Sequence, residues 1–584
     1  MTGMTRRDFI RISALTAGAL AVSFGVAGCS DSHDNGEDTT GRRFSFDHGV
    51  ASGDPLSDSV ILWTRVTTQD EAPVTLHWEI ARDEAFTQIT HSGQMSVTAD
   101  HDFTGKVDAR HLLPDTIYYY RFRAAGVYSP TGRSRTLPLS AERVSLAAVS
   151  CSNYPAGYFH AYNAIANLVD ERDLNALIHL GDYLYEYGAG GYATADAEAL
   201  GRSLSPDNDT ELLTLTDYRR RYALYRTDPD LQQLHARLPW IVVWDDHEIT
   251  NDAWQFGAEN HNEGEGEYAT RKMQALQAWF EWLPIRPAAP DNDEIIYRSF
   301  RFADLVALHM LDTRIIGRDE QLEYANYIGA DGTLDGAALQ AELTAQDREL
   351  LGSQQQQWLT GALADSLSAR WQVLGQQVLM ARMTLPIELL LQLRAFLGGA
   401  IDSAALEATL QELSVLKQRR LAGETLSITE QTRLDRVAPY NLDAWDGYPV
   451  ARERVLALFR RFDRYPVVLA GDTHNAWVSQ LTLADTTPAG VEFAVNSVTS
   501  PGFEAYLADI DSGRLAQAMA LLIDDLKWAD LSQRGFMVVT FDRAHASCQW
   551  HFIDTIKARD YTVTAGPTWQ VSAERPGSLV QVTS

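Results

Sequence analysis

Four short apolar runs in the chain end in side chains able to bind metal ions. Residues 144–149 lead into Cys151 and Asn153, and residues 177–180 lead into Asp182 and Tyr185. Residues 240–244 lead into Asp245-Asp246-His247-Glu248, and residues 465–470 into Asp472 and His474. Carboxylates and amides suit hard cations such as Ca2+, Mg2+ or Mn2+, whereas imidazole, thiolate and phenolate suit iron or zinc. An Asp between two ions can bridge them. Paired ions ~3.5–4 Å apart bind phosphate oxygens and turn water into hydroxide, which suits in-line displacement at phosphorus.

Plainer readings stand beside these. A buried Cys is commonly a small core residue, and a Cys151–Cys548 disulfide is an alternative in an oxidising compartment. Gly-Asp is a common turn, and Tyr185 can be core. Tyr183 and Tyr187 read as packing, Asp245 as a cap or an orienting group, and His160 and His261 as structural or surface residues. Asp312-Thr313-Arg314 follows a strand-like run at 305–311, so Arg314 is a candidate phosphate ligand or half of a structural ion pair. Trp254 and Trp445 line a pocket or pack the core.

The elements that must position these groups read as α/β. In such folds sites gather at the carboxyl ends of buried strands. One or two endings of this kind would be unremarkable, but four in one chain are a signal. Helical patterns intervene at 158–169, 217–226, 267–283 and 354–363, and residues 386–437, rich in Leu, Ala, Glu, Gln and Arg, read as a helical insertion. Residues 44–140 read as all-β. Their Leu113-Pro114-x-Thr116-x-Tyr118-x-Tyr120 stretch resembles late strands of fibronectin or Ig-like sandwiches, in which a Tyr packs on the turn.

Of 584 residues, 45% are apolar and 22% charged, which is globular composition. A formal charge of −29 excludes nucleic acid as a partner, since phosphate backbones need basic surface. It does not exclude phosphate substrates, because bound cations supply local positive charge. Three cysteines make no disulfide scaffold.

Residues 1–28 read as an address rather than fold. Arg6-Arg7 opens a twin-arginine pattern, followed by an apolar run at 12–27 too short and too rich in Ala and Gly to span a bilayer. Val26-Ala27-Gly28-Cys29 resembles a lipobox, with Cys29 the lipidated residue. Residues 29–43 read as a flexible tether, 44–140 as the β domain, and 141–584 as the domain carrying the four strand ends. The expectation is export by the twin-arginine machinery to the periplasm or cell surface, with membrane attachment only through the lipid.

The residue blocks resemble a known family. Gly181-Asp182-x-x-Tyr185 is similar to the Gly-Asp-x-x-Tyr block of calcineurin-like metallophosphoesterases. Asp246-His247-Glu248 stands where that superfamily has Asn-His-Glu, Gly471-Asp472-x-His474 where it has Gly-His-x-His, and Cys151-x-Asn153 where it has Asp-x-His. These departures resemble the PhoD-type alkaline phosphatases. So do residues 48–55 (HGVASGDP), Leu62-Trp63-Thr64-Arg65, Trp445-Asp446-Gly447-Tyr448 and Thr499-Ser500-Pro501-Gly502. The resemblance implies a metallophosphoesterase β-sandwich flanked by helices, preceded by the small all-β domain. It implies Fe3+ held by Cys151, Tyr185 and His474, with Asp182 bridging toward Ca2+ and Asp472 on the calcium side. Asp246 aligns with the superfamily Asn, with Asn251 or Asp252 as alternatives. Asn153 would contact metal or substrate, and His247 would act near the leaving group as acid or electrostatic stabiliser.

The function this implies is release of phosphate from small organic phosphoesters. A phosphodiesterase or phospholipase-D-like hydrolase is the alternative. A non-enzymatic surface lipoprotein would not need metal ligands at four strand ends. A serine hydrolase lacks its Gly-x-Ser-x-Gly elbow.

Overall fold

A computed structural model describes residues 36–37, 42–289, 292–330 and 332–582. The twin-arginine pattern and Cys29 lie outside the described residues. Strands β1 (Val50–Gly53), β2 (Ser59–Arg65), β3 (Val74–Ala81), β4 (Ile89–Val97), β5 (Thr104–Arg110), β6 (Ile117–Ala124) and β7 (Gly132–Arg135) form the N-terminal all-β unit. The apolar positions of β2 and β5 face those of β3 and β6 across one core, for example Leu62 and Val107 with Leu76 and Phe122. This is the period-2 alternation of a sandwich.

The chain then enters β8 (Arg143–Val149), β9 (Ala176–His179) and β10 (Trp240–Val242), which pair in parallel. The second half-domain is built on β11 (Arg298–Phe302), β12 (Val306–Met310), β13 (Trp371–Gln376), β14 (Val467–Ala470), β15 (Ala476–Thr482), β16 (Pro488–Ala494) and β17 (Leu526–Asp530). Their spatial order is β11-β12-β13-β14-β16-β15-β17. The C-terminal strands β18 (Arg534–Asp542), β19 (His545–Ile553), β20 (Val563–Ser572) and β21 (Arg575–Val582) return to the first sheet. Its order is β21-β20-β19-β18-β8-β9-β10-β1-β2-β5.

Two sheets therefore pack face to face. Leu146, Leu177, Val373, Leu469 and Phe493 share one core, while the alternate residues Leu374, Val468 and Ala494 turn outward into a second core. β9 and β14 are buried throughout, and β8 is buried from Val144 on, so they read as nearly unbroken apolar runs. Helices cover the outer faces. α1 (His160–Leu168), α2 (Leu215–Tyr225), α3 (Tyr268–Trp282) and α4 (Gly352–Asp365) fall where the sequence pattern places them. The helical insertion resolves into α5 (Ile387–Leu397), α6 (Ser403–Leu421) and α7 (Ile428–Asp435). α7 starts at a Ser427/Glu430 capping box.

One sheet of the N-terminal sandwich is continuous with the first sheet of the following unit. β1 runs parallel to β10 at Gly53 and Trp240, and the Asp54 N–H donates to the Trp240 carbonyl at 2.9 Å. A Cβ at Gly53 would sit 2.4 Å from the Pro284 carbonyl oxygen, so only glycine permits this approach. The Asp54 carboxylate accepts from Arg298 of β11. The 48–55 block is thus the joint between the two units.

Candidate metal centre

The loops leaving β8, β9, β10 and β14 meet at one end of the sandwich and are tied by their backbones. Cys151 N–H donates to the Gly181 carbonyl (3.1 Å), Ser152 N–H to that of Asp182 (2.9 Å), and Gly471 N–H to that of Gln377 (2.7 Å). Ser500 N–H reaches the Cys151 carbonyl. The crossing is tight, because a Cβ at Gly181 would lie 2.4 Å from Cβ of Asp245. Cys151 (φ 60), Asp182 (φ 56), Asp472 (φ 60) and His474 (φ 60) all adopt left-handed backbone. Such conformations cost free energy in non-glycine residues and persist where surrounding structure imposes them, commonly at functional sites.

These loops place donor atoms together in three overlapping groups. One ligating atom each of Cys151, Asp182 and His474 lies within 4.8 Å of the others. The same holds for Asp182, Asp246 and His247, and for Asp182, Asp245, Asp246 and Asp472. Asp182 belongs to every group. The Tyr185 hydroxyl donates to Asp182 Oδ2 at 3.0 Å, lies 3.2 Å from His474 Nε2, and accepts from the Ser500 hydroxyl at 2.6 Å. A thiol, a phenol and an imidazole therefore flank one side of Asp182, and carboxylates crowd the other.

The charge balance shows what fits there. Asp182, Asp245, Asp246, Glu248 and Asp472 are all buried. Burial pushes the Asp182 carboxyl well above the usual range. His247 opposes the shift, and Asp246, Glu248 and Asp472 add to it. Burial likewise raises Asp245 against the pull of Arg314. Cys151 is pushed up by burial and then by Asp182, and Tyr185 by the same two causes. Asp182 Oδ1 and Asp245 Oδ2 are buried with no hydrogen-bond partner. Buried carboxylates in this density need compensating positive charge. The mixed donor set, with unfilled oxygens aimed into it, fits cations of two kinds.

Glu248 shapes the loops rather than the reaction. Its carboxylate accepts from the backbone N–H groups of Asp182, Tyr183 and Asp245 at 3.1, 2.7 and 2.8 Å. Burial, partly offset by those bonds, raises its pKa to about 7. Glu186 accepts from Asn251 N–H and Asn260 Nδ2, both at 2.9 Å, and its Oε2 lies 2.7 Å from His247 Nδ1. Glu186 carries no signal in the sequence beyond being an acid that follows Tyr185 in an apolar run. Ser500, by contrast, falls in the 499–502 block.

Each sequence candidate has a definite place. His247, Asn251, Asp472 and His474 line a cavity of about 400 Å3. Tyr187 also lines it, against the expectation that it only packs. Asn251 Nδ2 donates to Glu259, and Asp252 N–H donates to Asp246 Oδ2. Asn153 is buried, with Nδ2 donating to the Tyr192 carbonyl. Asp245 is a member of the carboxylate group rather than only a cap. Tyr183 packs, with its hydroxyl 3.0 Å from His235 Nε2, and Trp445 is a core residue bonded to Gln376.

Of the two readings of Arg314, phosphate ligand or half of a structural ion pair, its contacts are those of the ion pair. It is fully buried, donates to Asp245 and to Asp443 (2.8 Å), and lies 3.4 Å from Asp472. Its guanidinium is committed to carboxylates beneath the centre and balances their charge. Cys151 and Cys548 are both free and buried, so they form no disulfide.

Comparison with known proteins identifies relatives of the chain. The model of a family described as PhoD-like phosphatase matches residues 146–550, and that of the PhoD-like phosphatase N-terminal domain matches 30–138. The chain is 32% identical over 514 residues to alkaline phosphatase D of Bacillus subtilis (strain 168), covering 85% of this chain and 76% of that protein. It also superposes on a solved structure described as "Structure of PhoD" with a TM-score of 0.72, at 28% identity and 92% coverage of both chains.

Proposed function

The chain belongs to the PhoD-like phosphatase family and is a phosphoric ester hydrolase, and from that premise we propose how its centre divides the work. Cys151, Tyr185 and His474 would hold Fe3+, Asp472 with Asp246 and Asp245 would hold Ca2+, and Asp182 belongs to both donor sets. The observation that carries this reading is the membership of Asp182 in both the thiol–imidazole group and the carboxylate group. Soft and intermediate donors lie to one side of it and hard donors to the other. Bound there, the ions would supply Lewis-acid polarisation of the phosphoryl group and acidify the attacking water.

The protein's own residues do the rest. His247 borders the cavity, and its Nδ1 is taken by Glu186, which leaves Nε2 for the ester. Burial alone would depress its pKa, but Asp246, Glu186 and Asp182 hold it well above the ordinary value. An imidazolium kept in place by a buried carboxylate can donate a proton to the leaving alkoxide or stabilise its charge. The left-handed loops hold the donors in place before substrate arrives.

The test is release of p-nitrophenol from p-nitrophenyl phosphate and from the bis ester, before and after removal of iron and calcium. Loss of turnover on chelation, recovery on adding both ions back, and a visible tyrosinate–iron(III) absorption support the assignment. Turnover that survives removal of both ions overturns it.

Export is part of the same proposal. Arg6-Arg7 and the lipobox-like residues ending at Cys29 support twin-arginine export and lipid attachment at the periplasmic or cell surface. No helix among the described residues is long and apolar enough to cross a membrane. Cys29→Ala should move the protein from the membrane fraction to the soluble one, and an unchanged distribution would reject the anchor.

A further inference from the structure

The cavity at the metal centre has two unlike walls. His247, Asn251, Asp472 and His474 form one. Helix α5 supplies much of the other, through Ile387, Leu390, Leu391, Arg394 and Leu397. Their spacing is i, i+3, i+4, i+7, i+10, which is one continuous face of a helix. The opposite face is already occupied, since Leu389 is buried and Phe396 packs on the outer core, while Leu390, Leu393 and Leu397 touch both that core and the cavity. The helix is thus apolar nearly all round, and its leucines divide their surface between the outer core and the cavity. Phe503 and Leu507 extend the same apolar surface.

An apolar wall of this extent beside a charged centre is costly in water unless a ligand covers it. Sugar and nucleotide phosphates would bring hydroxyl and amide groups against it and leave them unpaired. Arg394 is the only charged side chain on the cavity-lining face of α5. Its methylenes extend the stripe, and its positive charge favours an anionic ligand.

We propose that α5 is a specificity wall, and that the enzyme prefers phosphoesters whose alcohol is an apolar chain or ring. The phosphoryl group meets the polar wall while the alcohol lies along Leu390, Leu391 and Leu397. This inference rests on the phosphoesterase reading of the same centre.

The experiment is a series of straight-chain alkyl phosphates from ethyl to octyl, used below their micelle concentrations, with phenyl and naphthyl phosphate as a second arm. The alkyl alcohols have nearly constant acidity, so the slope reports apolar contact rather than leaving-group chemistry. kcat/KM should rise roughly twofold to fourfold per added methylene until the wall is covered, the upper figure being full burial of each group. Leu391→Asn should cut the octyl-to-ethyl ratio at least about fivefold, and Leu391→Met should retain it. A rise in the alkyl arm alone identifies aliphatic alcohols, and a rise in the aryl arm alone identifies aromatic ones. Turnover of ethyl and octyl phosphate within twofold of each other, with naphthyl no better than phenyl, overturns the wall and leaves the phosphoesterase intact. Failure of the metal-loaded enzyme to cleave any member overturns both.

Discussion

His247 Nδ1 and Glu186 Oε2 lie 2.7 Å apart in a pocket where Glu186 is wholly buried. The remaining Glu186 oxygen is fixed by Asn251 N–H and Asn260, so the carboxylate cannot turn away. The ring itself sits over Tyr185, with centroids 4.2 Å apart. Glu186 therefore positions a histidine that faces the cavity, and does so without reaching the cavity itself.

Glu186→Gln should lower kcat by about 10–100-fold with little change in KM, because the amide keeps the packing and loses the charge that holds the imidazolium. His247→Ala should cost roughly 10²–10⁴ in kcat through lost proton transfer, with metal content nearly intact. The two acting as a unit make the double variant no worse than His247→Ala alone. Additive losses would show that Glu186 acts elsewhere, and collapse of metal content in His247→Ala would make His247 a ligand.

The four strand ends were legible because β8, β9, β10 and β14 are buried on both faces and so appear as unbroken apolar runs before a polar residue. The helices at 160–168, 215–225, 268–282 and 352–365 were legible from period. Glu186 was not, because its meaning depends on a partner 61 positions away. Arg314 stayed open between phosphate ligand and ion pair because sequence shows a cation near a strand end but not the four carboxylates that enclose it. The joint at Gly53 was equally hidden, since one parallel bridge to Trp240 leaves no local pattern. The leucines of α5 read as core, and only the fold shows that four of the five line a cavity.

Asp182→Asn should abolish turnover while the far-ultraviolet circular dichroism stays that of the wild type. The carboxylate common to both donor groups becomes a neutral amide, one of its oxygens replaced by nitrogen, and its affinity for either cation falls. Elemental analysis of the purified variant should show both ions reduced. Full metal content with normal turnover would remove Asp182 from the centre of the mechanism.

Arg314→Met should destabilise the protein by about 3–5 kcal/mol in denaturant titration, because it strands buried carboxylates that lose their counter-charge. Arg314→Lys should recover only part of this. A single ammonium cannot reproduce the fork that donates to Asp245 through Nε and to Asp443 through an Nη. If Arg314→Met unfolds at the wild-type midpoint, the charge-balancing role is wrong.

Asp446 supplies a pH prediction away from the metal centre. Its Oδ2 accepts from Met383 N–H at 2.7 Å, next to Arg452, Arg382, Asp525 and Glu492. Burial, opposed by that bond and by Arg452, raises its pKa to about 7 from an ordinary 3.8. Between about pH 4 and 7 the folded protein therefore keeps a proton that the unfolded chain has released. Stability must fall as pH rises through this window, by up to about 1.4 kcal/mol per pH unit from this group. Asp446→Asn keeps an acceptor for Met383 and cannot ionise. It should match the wild type near pH 4 and be the more stable protein at pH 7 and above, with the gap opening between. The measurement is the denaturation midpoint of both proteins at pH 4, 5, 6 and 7. A gap that is constant across the series would show that Asp446 is ionised throughout, held so by Arg452.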